Sequence, residues 1–145
     1  MHQSLQGATF HVEHIVPRSR GGNSEIANLA WACPGCNLHK SNRVEATVPE
    51  GEESVPLFHP RLHVWDEQFC WDGHQLVGLT RIGRATVEML LLNHGRRIKI
   101  REAESLFNLF PPIGAEQSGK DGPNFHALLP FACSHPASAR STISC

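Results

Sequence analysis

The chain has 145 residues, of which 40% are hydrophobic and 19% are charged. This length suits one compact domain, and the apolar content excludes wholesale disorder. The longest apolar run, Leu29–Cys33, is far shorter than the roughly 20 residues of a membrane span. Because the start also lacks a basic-then-apolar signal pattern, we expect a soluble, cytoplasmic protein with no membrane partner.

The formal net charge of −1 conceals a block pattern along the chain. Basic residues predominate in residues 1–43 and 81–101, and acidic residues predominate in residues 45–72. Two basic blocks that flank an acidic one can present a positive face to phosphates. A surface of scattered, solvated charges explains the pattern equally well.

The first 44 residues predict a strand, a long loop, a second strand and a short helix. Thr9–Glu13 alternates apolar and polar residues as a strand does, and residues 28–32 predict an antiparallel partner. The segment Pro17–Ser24 between them has the turn chemistry of a loop. Pro34–Arg43 predicts a helix, because proline is favoured in a first helical turn.

The remaining chain divides into three further segments. Residues 45–56 are acidic and are interpreted as a linker. Residues 57–112 predict an extension that packs on the first block. Residues 113–145 lack hydrophobic periodicity and are rich in Ser, Ala, Pro and Gly, which is typical of a disordered tail.

The extension is predicted to contain a β-hairpin and two helices. The hairpin turns around Asp72-Gly73, and Thr80 can cap a helix that runs to about Asn93. A second helix over residues 98–110 is expected to bury one apolar face, made of Ile100, Ala103, Leu106 and Phe107. The aromatic residues before it are expected in the core rather than as base-stacking platforms: Trp65, Phe69 and Trp71.

One stretch of the first block carries the residue types that phosphodiester hydrolysis requires. A neutral histidine can deprotonate the attacking water, and a divalent cation on hard oxygen ligands can stabilise the leaving 3′ oxygen. His14 is the candidate base, and Glu13 beside it is the candidate metal ligand. Asn37, or else His39, would complete the metal pocket from the helix. Asn28 can hydrogen-bond backbone across the loop and hold His14 in register.

Adjacent side chains of a strand point to opposite faces, so Glu13 and His14 need a bend to serve one site. Pro17 and the glycines that follow favour such a bend just after the strand. The candidate site is therefore expected at the end of the first strand.

These residues resemble the HNH endonuclease family. The resemblance consists of an acidic residue with histidine, a Gly-Gly loop, Asn-Leu, and Cys-x-x-Cys-Asn followed by a basic residue. It implies an α+β fold in which residues 1–44 form a ββα-metal finger and a hairpin with helices follows, to about residue 110. It further implies that His14 is the general base and that Glu13 and Asn37 bind catalytic Mg²⁺ or Mn²⁺, while Asn28 orders the loop.

The family resemblance also implies a nucleic-acid partner, double-stranded DNA. The basic residues of the first block are candidate contacts to the DNA backbone: Arg18, Arg20, Lys40 and Arg43. Solvated surface charges are nearly as good an explanation of these four residues.

The resemblance departs from the family at the zinc site. Family members with this Cys-x-x-Cys pair carry another pair upstream, and the four thiolates bind structural zinc. Here Cys33 and Cys36 have no such partner before Phe10, which predicts a start assigned too late or a truncated gene. The candidate substitute ligands for a tetrahedral site are His39, His11 and His2. In small finger peptides, the binding of structural zinc contributes on the order of 10–16 kcal/mol to the free energy of folding. A finger without zinc lacks this contribution.

Two other functions compete with an endonuclease. A non-catalytic, zinc-finger-like nucleic-acid-binding module would bind DNA in a salt-dependent way and would not cleave it. A redox protein is the third interpretation, on the basis of Cys33 and Cys36. It is the weakest, because no thioredoxin-like βαβ context surrounds the pair.

Overall fold

The computed structural model describes residues 10–110, so the predicted tail (113–145) and His2 lie outside the described residues. The described elements are small antiparallel strand pairs and short helices. They follow the order β1 (His11–His14), β2 (Leu29–Ala32), α1 (Pro34–Lys40), β3 (Glu45–Thr47), β4 (Ser54–Pro56), α2 (Trp65–Gln68), β5 (Phe69–Asp72), β6 (Gln75–Gly78), α3 (Arg81–Met89) and α4 (Gly95–Leu106). This mixture is compatible with the predicted α+β class. Within residues 10–110, no helix is long and apolar enough to cross a membrane.

The first unit contains β1, β2 and α1. The two strands pair antiparallel, with His11 opposite Ala32 and His14 opposite Leu29. The loop between them includes two short 3-10 turns, and α1 packs against both strands. The order strand, loop, strand and helix agrees with the prediction. The helix ends earlier than predicted, at Lys40, because Ser41 adopts a positive φ of 50°.

Residues 45–56, predicted as a linker, instead contain the antiparallel hairpin β3–β4. Val48 and Val55 are buried and form a small core with Ala85 of α3. Single valines among acidic residues give no clear alternation of apolar and polar positions, so the sequence pattern does not indicate this hairpin. Two arginines of α3 also bond to glutamates of this segment: Arg81 to Glu53 and Arg84 to Glu50.

The hairpin and the first helix of the extension agree with the prediction in type and differ in their bounds. In the β5–β6 register Asp72 lies opposite Gln75, so the turn is Gly73-His74, one residue later than predicted. Thr80 caps α3 and accepts a hydrogen bond from the Gly83 N–H at 3.0 Å. The helix ends at Met89 rather than near Asn93.

The aromatic residues of the extension pack together, as the core prediction requires. Phe69 is buried, and its ring centroid lies 4.5 Å from that of Trp65. The ring centroids of Trp71 and Phe110 lie 4.9 Å apart. The Arg101 guanidinium lies over the Trp71 ring, 4.7 Å from its centroid. All three predicted core aromatics therefore contribute to packing within the extension.

The predicted buried face of the last helix is wrong. Leu106 and Phe107 are 81% and 67% exposed, and Ala103 is exposed as well. α4 instead buries Arg101 and Glu104. The Arg101 guanidinium donates to the carbonyl oxygens of His74 and Leu92, at 2.8 and 2.6 Å. Burying a charge is tolerated when it is hydrogen-bonded in this way, and hydrophobic periodicity does not register it.

Candidate active site

Asn28 closes the loop between β1 and β2. Its side-chain oxygen accepts a hydrogen bond from the Val16 N–H at 2.8 Å. Its amide nitrogen donates to the carbonyl oxygens of Val16, at 2.9 Å, and Asn23, at 2.7 Å. An asparagine suits this position because one side chain supplies both an acceptor and two donors. The loop is thereby tied down directly after the end of β1.

The Gly-Gly pair serves the same loop in two different ways. Gly21 ends the first 3-10 turn with a φ of 83°, a left-handed conformation that favours glycine. Gly22 approaches the segment after β1 so closely that a methyl group there would overlap the carbonyl oxygen of Val16. Both glycines are therefore required by the path of the loop past Val16.

His14 is the last residue of β1 and is half-buried. Its Nε2 lies 2.9 Å from Oγ of Ser24, which comes from the loop that Asn28 ties down. When Nε2 carries the proton and donates it to Ser24, Nδ1 keeps its lone pair and can accept a proton. Ser24 thus orients the imidazole ring. No spacing rule in the sequence singles out this serine.

The helix-facing side of β1 carries the candidate metal ligand Glu13. Glu13 and His11 lie two residues apart and share one face of the strand. Asn37 and Lys40 lie three residues apart and share one face of α1. Asn37 Nδ2 donates to His11 Nδ1 at 3.1 Å, and Lys40 Nζ lies 2.8 Å from Glu13 Oε1. Glu13 and Asn37 therefore lie in neighbouring contacts between β1 and α1.

The chemistry of Glu13 and Asn37 fits a hard divalent cation. A carboxylate and an amide oxygen are ligands that Mg²⁺ accepts, and Mg²⁺ completes its shell with water and substrate phosphate. The amide nitrogen of Asn37 faces His11, which leaves its oxygen as the atom for a metal. In residues 10–110 no group of three or more His, Cys, Asp or Glu could hold a metal ion. Any metal at this position is thus held by few protein ligands.

His39, the alternative ligand to Asn37, lies elsewhere on the helix. It is two residues from Asn37 and one from Lys40, and residues at these spacings do not share a helix face. The contacts from α1 to the side chains of β1 come from Asn37 and Lys40. The geometry therefore favours Asn37 over His39.

The four basic residues predicted to contact DNA have different surroundings. Arg18 and Arg20 are exposed on the first 3-10 turn. Arg43 donates to Met89 Sδ at 3.2 Å, and Lys40 is bonded to Glu13. Arg18, Arg20 and Arg43 are exposed, and Arg18 and Arg20 lie within the loop between β1 and β2.

Cys33 and Cys36 lie at the start of α1. Cys33 Sγ accepts a hydrogen bond from the Cys36 N–H at 3.4 Å, and Arg97 Nη1 donates to Cys36 Sγ at 3.2 Å. The hydrogen bond between the two thiols lowers the pKa of Cys33 to about 5 and raises that of Cys36. A tetrahedral zinc site needs four ligands. The described residues supply two thiols with a cation against one of them, and so they do not fit structural zinc.

A cleft of about 650 Å³ adjoins the loop and is bounded on its other side by the extension. The extension contributes His59, Arg61 and Leu62 to its walls. Arg61 donates through Nε and Nη2 to the Leu29 carbonyl oxygen, at 3.2 and 2.9 Å. Leu29 lies opposite His14 in the sheet, so Arg61 connects the extension to the strand pair beside the candidate site. Nothing in the sequence pattern indicated this contact.

Comparison with known proteins finds a similarity for the first unit. Residues 2–43 match the model of a family described as HNH endonuclease. No curated protein and no solved structure matches the chain. The family match ends at residue 43, so the resemblance expected up to about residue 110 stays a prediction. The matched range contains β1, β2 and α1 with the motif residues described above, so this part of the chain is similar to the HNH endonuclease family.

Proposed function

We propose that this protein is a metal-dependent endonuclease that hydrolyses phosphodiester bonds of double-stranded DNA, on a finger of the ββα-metal type. The observation that carries the proposal is the set of contacts that β1 makes with α1 and with the loop, within a range that matches the HNH endonuclease family. Glu13 faces Lys40 of α1, next to Asn37, and His14 contacts Ser24 of the loop that Asn28 holds. The carboxylate and the amide thus lie on the side of β1 that faces α1, and the oriented imidazole follows at the end of the strand, against the loop.

In this proposal His14 is the general base. The imidazole contacts Ser24 through Nε2, and Nδ1 takes the proton of a water that attacks the phosphorus. The 3′ oxygen then leaves with the electron pair of the broken P–O bond. Glu13 and Asn37 would hold a divalent cation, which would supply electrostatic stabilisation of that leaving oxygen.

The other residues position the base and the DNA. Asn28 fixes the loop that carries Ser24, and so acts on catalysis through the orientation of His14. Arg18 and Arg20 are exposed and can neutralise phosphates of the DNA backbone. We further propose that residues 57–112 form an extension that packs on the finger through Arg61.

The test is nicking of supercoiled plasmid by the full chain with Mg²⁺, with Mn²⁺ and with EDTA. We expect metal-dependent nicking that EDTA abolishes. The Glu13→Gln and Asn37→Ala variants should nick at least about tenfold more slowly, because the first removes the negative charge that attracts the metal and the second removes an oxygen ligand. Glu102→Gln, a substitution of an exposed glutamate on α4, is the matched control and should nick at the wild-type rate. Nicking that persists in EDTA, or that is unchanged in Glu13→Gln, would contradict the proposal.

A non-catalytic nucleic-acid-binding module is the second candidate. It is favoured by the Glu13–Lys40 ion pair, because the carboxylate that a metal needs is already bonded to a cation. This candidate predicts DNA binding that weakens steeply with salt and no cleavage with either metal. The plasmid experiment, combined with a DNA-binding measurement, separates the two candidates.

A further inference from the structure

Lys40 links the two adjacent residues of the candidate site. Its Nζ lies 2.8 Å from Glu13 Oε1 and donates to the His14 carbonyl oxygen at 2.8 Å. The side chains of Lys40 and Glu13 are only 15% and 17% exposed. A pair this shielded is screened less by salt than a pair on the open surface. The ammonium therefore holds the carboxylate at the position where a metal ligand is expected.

An ammonium and a divalent cation cannot occupy the same side of one carboxylate. Two positive charges a few ångströms apart repel each other, strongly so where water is partly excluded. Lys40 has a flexible four-carbon stem and lies in the last turn of α1, so its head group can leave without unfolding the helix. Asn37, in the same helix, can keep its place beside His11 during this movement.

We propose that Lys40 is an internal cation that competes with the divalent metal for Glu13 and is released from the carboxylate when the metal binds. This inference rests on the proposed function, since it concerns the same metal site. The competition keeps Glu13 ordered before the metal arrives, and it raises the metal concentration that the site requires.

The first test measures Mn²⁺ binding to the full chain by calorimetry, without DNA. Lys40→Met keeps an unbranched apolar stem and removes the competing charge. We expect it to bind Mn²⁺ about five- to tenfold more tightly than the wild type. Lys99→Met, at an exposed lysine of α4, makes the same change in net charge and should leave the affinity within about twofold. Mn²⁺ affinity in Lys40→Met equal to or weaker than the wild-type value would overturn the inference.

The location of the effect is tested by adding Glu13→Gln to Lys40→Met. If the gain in affinity arises at Glu13, the double variant should lose it. A gain that survives the loss of the carboxylate would arise elsewhere and would overturn the inference.

A second measurement uses the wild-type chain and so does not depend on the folding of a variant. An amine-acetylating reagent labels lysines in proportion to their accessibility, and mass spectrometry reports the labelling at each site. Saturating Mn²⁺ should raise the labelling rate of Lys40 by at least about threefold and leave that of Lys99 unchanged. No rise at Lys40 would overturn the inference.

The outcomes separate the inference from the function on which it rests. Metal-dependent nicking by the wild type together with unchanged Mn²⁺ affinity in Lys40→Met overturns the inference and leaves the endonuclease intact. No nicking and no Mn²⁺ binding, in the wild type and in Lys40→Met alike, overturns both.

Discussion

Replacing Asn28 with alanine removes three hydrogen bonds from the loop beside His14 at once. The side chain joins the N–H and carbonyl of Val16 and the carbonyl of Asn23, at 2.7–2.9 Å. One hydrogen bond contributes a net of about 0.5–1.5 kcal/mol, so the three together contribute roughly 1.5–4.5 kcal/mol. Asn28 is only half-buried, and water can replace part of what is lost. We therefore expect Asn28→Ala to lower the free energy of unfolding by about 2 kcal/mol.

The assay is urea unfolding of the full chain, followed by far-UV circular dichroism. Asn42→Ala, at an exposed asparagine just after α1, is the matched control and should change the unfolding free energy by less than about 0.5 kcal/mol. Asn28→Asp separates the bonds, because it keeps the acceptor for the Val16 N–H and turns an oxygen toward two carbonyl oxygens. It should destabilise the chain at least as much as alanine does. An Asn28→Ala protein as stable as the Asn42→Ala control would refute this account of the loop.

Three further substitutions test neighbouring features. Gly22→Ala adds a methyl group that overlaps the backbone of Val16, so it should lower the free energy of unfolding by about 1–3 kcal/mol. Gly95→Ala meets no atom within 4 Å and should be neutral, and equal urea midpoints for the two variants would contradict the close approach. Ser24→Ala removes the contact that orients His14, so plasmid nicking should slow about three- to tenfold without a change in urea midpoint. An unchanged nicking rate would show that Ser24 does not act through His14. Arg101→Met removes a buried guanidinium from two partly buried carbonyl oxygens, so it should lower the free energy of unfolding by about 2–4 kcal/mol in the same assay. The exposed Arg96→Met should lower it by less than about 0.5 kcal/mol.

Features of the fold that depend on residues close together in the sequence were predictable. The Gly-Gly loop, the hairpin turn near Gly73 and the cap at Thr80 each follow from the chemistry of a few adjacent residues. Their bounds shifted by small amounts because tertiary contacts decide where an element ends. The apolar residues of β3–β4 were not recognised, since single valines among acidic residues give no strong alternation.

Contacts between distant parts of the chain were not predictable in this way. Arg97 reaches Cys36 across 61 positions, and Arg61 reaches the Leu29 carbonyl across 32. Only the packing of helices and extension against the strand pair brings these groups together. The burial of Arg101 was missed for a related reason, because its partners are carbonyl oxygens of other segments and these leave no trace in hydrophobic periodicity.

The same distinction applies to the candidate site. Glu13, His14, Asn28 and Asn37 could be chosen from residue chemistry and spacing within the first 44 residues. Two contacts of these residues were not predictable from the sequence, because they depend on the three-dimensional structure. Ser24 contacts His14, and Lys40 contacts Glu13. Lys40 was expected to face DNA, and its position against Glu13 is what suggests competition with a metal.

The most direct test of the central claim is the rate at which His14→Ala cleaves duplex DNA with Mg²⁺ under single-turnover conditions. A 5′-labelled duplex reports cleavage, and fluorescence anisotropy of the same duplex in EDTA reports binding. If His14 is the general base, the variant should bind the duplex as tightly as the wild type and cleave it about 10²- to 10⁴-fold more slowly. Cleavage by His14→Ala at the wild-type rate would contradict the assignment of His14 as the base.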